Sequence, residues 1–260
     1  MLRILTDSAC DLTPAEAAAL GVQIIPLHVV LEDGTVLRDG VDTDPDRFYA
    51  HLAACKKLPT TSQPSPDLFA QAFDAAREAG DELVAILISS ALSGTCQSAR
   101  IAAAMSDYDG VRLVDSGTVS LAEGLLVRLA VRLRARGCDA ACLAAELEQA
   151  KKHLHIVAVI DDLKYLRKGG RLPAAAAVAG GMLGIKPLIT IRDGRVAMAG
   201  RARGLPGAYV ALFRAFEEAG GIELLAKHAV DGVIPELLDR DDYGRAWAVY
   251  GPEAGGKATF

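Results

Sequence analysis

The sequence predicts a two-domain α/β protein: a mostly parallel α/β domain over residues 1–153 and a smaller α+β domain over residues 154–260. Three observations carry that prediction. The chain has 260 residues, more than one average domain. Its hydrophobic content is 51% with only 5% aromatic, a composition that suits a sheet covered by helices. Short apolar runs alternate with long amphipathic stretches through the first part, and that grammar changes after about residue 154.

The strand-like runs of the first domain are Arg3–Thr6, Val22–Val30, Leu83–Ile88 and Val111–Val114, with Ile156–Ile160 just beyond the boundary. Helical patterns separate them, as parallel βαβ units require. Two of these helices carry start signals, Thr13-Pro14 with Glu16 and Ser65-Pro66 with Asp67. After His153 the segments Leu188–Arg192 and Arg195–Ala199 flank Asp193-Gly194, a dipeptide that favours a tight hairpin turn and brings antiparallel pairing. The apolar span Leu172–Ile185 is interrupted by Pro173 and glycines and is too short to cross a bilayer, so it reads as a buried helix and turn.

Several function classes lose support. A formal charge of −5 disfavours nucleic acid, which needs a basic face against its phosphates. The start Met1-Leu2-Arg3-Ile4-Leu5-Thr6-Asp7 reaches charged and hydroxyl groups before any apolar signal region forms, which points to a cytoplasmic protein. Cysteines 10, 55, 96, 138 and 142 are odd in number and contain no Cys-x-x-Cys, so neither a complete disulfide framework nor a zinc knuckle is expected. Of the histidines, His28, His51, His153, His155 and His228, only His153-x-His155 could share a strand face, and no metal is expected there. Gly180 to Pro187 has the wrong glycine and lysine spacing for a Walker-type loop, and no Gly-x-Gly-x-x-Gly follows a strand. No cofactor is expected.

The polar residues gather where strands end. Thr6-Asp7-Ser8, Ser89-Ser90-Ala91-Leu92-Ser93-Gly94-Thr95 and Asp115-Ser116-Gly117-Thr118 each follow a strand and open a helix. Ligands of open α/β sheets sit at such places, and helix-start N–H groups with nearby hydroxyls make an uncharged cradle for an anion. Each hydroxyl can also be read as a plain N-cap. A second loop, Leu58-Pro59-Thr60-Thr61-Ser62-Gln63-Pro64-Ser65-Pro66, is stiffened by prolines that hold the Thr61 and Ser62 hydroxyls in place. In the third cluster, Lys164, Arg167 and Lys168 suit the end of a short helix closed by Gly169, whereas Arg171 lies beyond the glycines and can reach toward a cleft or an acidic partner.

These clusters, in this order, resemble the DegV family of bacterial fatty-acid-binding proteins. Thr6 to Leu12 resembles its TDSxxDL opening, Pro59 to Pro66 its PTTSQPSP loop, and Ser89 to Ala99 its SSxLSGTxQSA segment. Asp115-Ser116, Tyr165 to Arg171 and Leu183 to Pro187 continue the match. The resemblance implies a DegV-like fold in which one long-chain fatty acid, palmitate for example, lies in a tunnel between the domains. It implies that Thr61 and Ser93 grip the carboxylate, with Ser62, Gly94 and Thr95 in support and Arg171, Arg201 and Arg203 as partner-facing or head-group candidates. It further implies a non-catalytic subunit that presents the acid to a separate ATP-dependent fatty acid kinase for phospholipid synthesis. A transient membrane contact stays open, without a transmembrane segment. Burial of about 14 methylenes supplies on the order of 11 kcal/mol gross, so a few neutral hydrogen bonds suffice for the head group.

The resemblance departs at the C-terminus. Where the family has a histidine ahead of Gly-Pro-Gly, this chain reads Ala248-Val249-Tyr250-Gly251-Pro252-Glu253, and the histidine position falls on Val249. Tyr250, Arg201 or Arg203 could compensate. Two alternatives stay open: a lipid sensor that reports to a partner other than a kinase, and a hydrolase or phosphotransfer enzyme using Ser93 or Ser116 with Asp7 or Asp115. The second lacks an identifiable general base.

Overall fold

The structure is a computed structural model that describes residues 1–161, 163–172, 184–218 and 246–250. The chain divides into two compact units, Met1–Glu148 and Gln149–Phe260. Unit one runs β1 (Leu2–Asp7), α1 (Pro14–Leu20), β2 (Val22–Ile25), β3 (His28–Val30), β4 (Val36–Arg38), α2 (Pro45–Ala54), β5 (Thr60–Ser62), α3 (Pro66–Ala79), β6 (Glu82–Leu87), α4 (Thr95–Ser106), β7 (Val111–Asp115), α5 (Leu121–Ala135) and α6 (Ala140–Ala150), the last reaching across the division.

Four of these strands form an all-parallel sheet in the order β2-β1-β6-β7. Parallel strands need helices on both faces, so a central strand is apolar on both sides. β6 shows this directly: every residue after Glu82 is buried. On one face Phe69, Phe73 and Ala76 of α3 and Cys96, Ala99 and Ala102 of α4 pack on Leu5, Leu83, Ala85 and Leu87. α5 packs on β1, β6 and the 3-10 turn Ser8–Cys10. α1 starts as its sequence dictates, with Pro14 in the first turn and a reciprocal cap. Thr13 Oγ1 accepts from Glu16 N at 3.2 Å, and Glu16 Oε2 accepts from Thr13 N at 2.9 Å.

Gly124 lets α5 approach the Ser8–Cys10 turn. A methyl group on its Cα would lie 2.6 Å from the Cys10 carbonyl oxygen, and backbone cannot swing aside as a side-chain end does. Gly124→Ala is expected to destabilise by about 1–3 kcal/mol, despite alanine's better helix propensity. A urea midpoint equal to or above the wild-type value would refute this.

The expected single strand Val22–Val30 is corrected to two, β2 and β3, which belong to different sheets. Pro26 lies at the break, lacks an N–H and cannot continue a ladder. Antiparallel pairing, expected only after residue 154, already appears here as a three-stranded sheet in the order β4-β3-β5. The stiff loop at Leu58–Pro66 supplies its third strand, β5.

Unit two contains β8 (Leu154–Val159), α7 (Lys164–Lys168), β9 (Ile185–Arg192), β10 (Arg195–Arg203), α8 (Gly204–Glu218) and β11 (Ala246–Tyr250). Its sheet runs β10-β9-β8-β11, antiparallel among the first three and parallel between β8 and β11. Asp193 and Gly194 both take left-handed conformations, φ 51° and 72°, and turn β9 into β10 as their sequence predicts. Val157, Val159 and Leu188 form a core with Ala208 and Leu212 of α8. His153 closes a 3-10 turn and His155 lies in β8, so the two do not share a strand. Of the expected buried helix at Leu172–Ile185, residues 173–183 lie outside the described residues, as do His228 and residues 251–260. No helix among the described residues is long and apolar enough to cross a membrane.

The α/β class expected from the sequence is thus the class observed, with a parallel sheet flanked by helices in unit one and a mixed sheet in unit two.

Candidate functional site

β1 has β2 on one side and β6 on the other, so the strand order reverses at β1 and a crevice opens at the carboxyl ends of β1 and β6. The polar loops named from the sequence meet there. Asp7, the last residue of β1, bridges the crevice: its Oδ2 accepts from Ile88 N at 2.8 Å and its Oδ1 from Ala9 N at 2.9 Å. The loop after β6 is tied to the loop after β7, with Ser89 N donating to Thr118 O at 2.8 Å and Ser116 N to Leu87 O at 2.9 Å. Asp115 Oδ1 accepts from Ser90 N at 3.2 Å and Gly117 N at 3.0 Å.

Ser93 and Thr95 occupy the turn into α4. Their hydroxyls are 2.8 Å apart, and Ser93 Oγ also accepts from Thr95 N at 3.3 Å. Thr95 is fully buried, whereas Ser93 is half-buried and Gly94, at the N-cap position, supplies no side-chain cap. A carboxylate brought to Ser93 would meet a hydroxyl donor at the positive end of a 12-residue helix.

Thr61 and Ser62 lie on β5, both exposed. Gln63, the next residue, rests its carboxamide on Gly94: a methyl group on the Gly94 Cα would stand 2.9 Å from Gln63 Cδ and 3.0 Å from Nε2. This contact joins the β5 hydroxyls to the Ser93 turn. Pairing places Thr61 opposite Val29 and Ser62 opposite His28, so the two side chains leave opposite faces of the strand.

Beneath the crevice Asp7 is joined by a second carboxyl, Glu123, that the sequence did not single out. Burial pushes the Asp7 carboxyl up to about 6, against the pull of the Ile88 and Ala9 N–H groups. Glu123 of α5 is fully buried and its carboxyl is raised well above the ordinary range, first by burial and then by Asp7. Thr6 Oγ1 donates to its Oε1 at 3.2 Å, while Oε2 has no hydrogen-bond partner among the described residues. Burial also pushes the Cys10 and Cys96 thiols up to about 12, which keeps them un-ionised at neutral pH. An acid inside the apolar run Leu121 to Leu129 was the available signal for Glu123, although helical spacing alone does not say which face is covered.

The arginine candidates are all in unit two. Arg171 follows α7, where its backbone N–H donates to Leu166 O at 3.0 Å and its guanidinium turns back on the Gly169 carbonyl. Arg201 and Arg203 alternate on the edge strand β10, exposed and on the face opposite Ala202, which packs toward α8. Val249 pairs with Val157 in the parallel β11–β8 ladder. Cys138 and Cys142 at the start of α6 form a pair, with Cα atoms 5.5 Å apart, that the sequence reading did not expect. Their one-turn spacing was the signal. No group of three or more potential metal ligands occurs among the described residues.

Comparison with known proteins bears on this arrangement. The family model described as "Uncharacterised protein, DegV family" matches residues 1–227. A DegV domain-containing protein of Deinococcus radiodurans is 43% identical over 204 residues, which are 78% of this chain and 72% of the relative. A solved structure described as fatty acid binding of a DegV family protein from Thermus thermophilus is similar at 37% identity with a TM-score of 0.77, covering 85% of this chain and 78% of that one. A stearic acid-binding protein from Eubacterium ventriosum is similar at 29% identity and a TM-score of 0.76, covering 87% of this chain and 78% of its own. With its family match over residues 1–227, its parallel sheet and its hydroxyl-bearing loops at the strand ends, this chain belongs to the DegV family.

Proposed function

We propose that the protein binds one long-chain fatty acid and holds its carboxylate with the hydroxyls of Thr61 and Ser93. The observation that carries this reading is the Gln63–Gly94 contact, which brings β5 against the uncapped start of α4. Two similar proteins are described as binding fatty acids, and one specifically as binding stearic acid. Thr95 supports Ser93 through the hydroxyl pair, and Ser62, next to Thr61 on β5, is the second supporting hydroxyl of the reading. Neutral donors suit a carrier, because an arginine buried against the carboxylate would be left unpaired on release.

Among the described residues the Ser93 hydroxyl bonds to the Thr95 hydroxyl and accepts from Thr95 N, and no imidazole or carboxylate acts on it. A nucleophile needs such a base, so binding is favoured over hydrolysis. In the full proposal the acyl chain is enclosed in a tunnel, and the loaded protein, in the cytoplasm, presents its carboxyl group to an ATP-dependent fatty acid kinase. The family resemblance supports this step, with Arg171, Arg201 and Arg203 as candidates to face the kinase.

Delipidated protein titrated with palmitate should show saturable uptake of one equivalent by native mass spectrometry. Thr61→Val with Ser93→Ala should weaken it by at least about 100-fold, the loss of two hydrogen bonds to a charged group at about 1.5–3 kcal/mol each. Absence of saturable uptake in the wild type would remove the reading. Unchanged affinity in the double variant would remove these two residues from it.

A further inference from the structure

Residues 26–63 differ from the rest of unit one. Val29 is the only buried residue among them. α2 buries none of its side chains, and Val36, Val41 and Tyr49 are exposed apolar groups. By contrast β6 buries five of its six residues. The segment is held together from within: β3 pairs with β4 and β5, the Arg38 guanidinium makes two 2.8 Å bonds to Asp42, and Lys57 N donates to Glu32 at 3.0 Å. At its two ends it is tied to the rest of unit one, where Leu27 N donates to Ser8 Oγ at 3.0 Å and the Gln63 carboxamide covers Gly94, while Asp39 and Tyr49 along its length come near enough to Asp7 and Asp11 to feel their charge. Pro64, just past Gln63, is buried and stays with the body.

A three-stranded antiparallel sheet with one buried side chain has little apolar area to lose when it lifts away. Such elements open at a free energy well below that of global unfolding. The register tells which face lies inward. Leu37, Val29 and Thr61 stand opposite one another in a single row across the three strands, and Val29 is buried, so Thr61, itself exposed, stands on the same face of the small sheet as two apolar side chains.

We propose that residues 27–63 form a flap, hinged at Leu27 and Pro64 and latched by the Gln63 carboxamide on Gly94, whose opening carries Thr61 away from Ser93. The flap thereby sets when the carboxylate is held by both hydroxyls and when by one. What it gates rests on the fatty-acid reading above; that it opens does not.

Hydrogen exchange read by mass spectrometry on the intact, delipidated protein tests this. Amides of β3, β4 and β5 should exchange at least 100-fold faster than those of β1 and β6, and Gln63→Ala should speed the flap amides about fivefold or more while leaving β1 and β6 unchanged. Addition of palmitate, with native mass spectrometry confirming occupancy, should slow the flap amides toward those of the sheet. Flap amides exchanging in step with β1 and β6 in the delipidated protein would overturn the proposal, as would no response to Gln63→Ala. Palmitate bound without slowing the flap would overturn its role as a gate. If palmitate fails to bind, the fatty-acid reading fails, and the exchange rates of the unliganded protein still decide whether the flap exists.

Discussion

The unfolding free energy should fall by at least about 2 kcal/mol between pH 4 and pH 6, and should go on falling above pH 6. Asp7 accounts for the first step. Its carboxyl titrates near 3.8 in the unfolded chain and at about 6 in the fold, so between those values the folded protein holds a proton that the unfolded chain has lost. Stability from a raised group is complete below the unfolded value and is lost as pH climbs through the folded one, at about 1.4 kcal/mol per pH unit. Glu123, raised well beyond the ordinary range by burial, adds to the loss from the ordinary glutamate value upward and continues it at higher pH.

Groups of the opposite kind act elsewhere on the scale. Asp81, held low by the Met1 amine and Arg3, and Glu16, held low by the Thr13 N–H and Arg128, lose their contribution only as pH falls below the ordinary carboxylate range. The profile should therefore peak near the ordinary carboxylate values. Glu123→Gln can still accept the Thr6 hydroxyl, and should flatten the profile above pH 6 and make the fall below pH 6 shallower, leaving the Asp7 share. Urea midpoints at pH 4, 6 and 8 for both proteins are the measurement, and a wild-type profile that rises from pH 4 to 8 would contradict the burial of the pair.

Phe73→Ala should cost about 3–5 kcal/mol, the range for emptying a fully enclosed aromatic site. Phe73 has no exposed surface, packs at a tilt of 41° against Phe69 with ring centroids 6.1 Å apart, and lies in the cluster joining α3 and α4 to β1 and β6. α3 follows the β5 loop and α4 begins at Thr95, so both segments carrying the candidate hydroxyls are anchored by helices that share this cluster. Palmitate affinity should accordingly fall as well, by more than the stability loss alone predicts at temperatures where the variant is folded. A urea midpoint shift equivalent to less than about 1 kcal/mol would mean that the site refills by collapse.

Much of this architecture is legible in the residues. The apolar runs of β1, β6 and β7, the Thr13-Pro14 helix start and the Asp193-Gly194 turn are local signals whose physics does not depend on distant parts of the chain. The small sheet was not legible to the same degree. Its strands have three residues each, too few to show a period, although Asp33-Gly34 marked the β3–β4 turn in the way Asp193-Gly194 marked its own. The hydroxyls could be named from the sequence, but not the Gln63–Gly94 contact that joins their segments, because it links residues 31 positions apart across two sheets. Glu123 escaped for a related reason: α5 is apolar nearly all round, and only the packing of β1 and the Ser8–Cys10 turn against it determines that an acid in its first turn is enclosed.

The place of β1 in the middle of its sheet has a consequence for biosynthesis. As the chain emerges, β1 can pair at once with β2, but its other edge waits for β6, and Asp7 closes on Ile88 across 81 positions of sequence. Pairings of that span are slow to form and leave apolar strand edges exposed meanwhile. The crevice between β1 and β6 therefore comes into being only when the chain has been made as far as Ile88, and a truncated product ending before β6 exposes an open strand edge to its neighbours and to the chaperones that cover such edges.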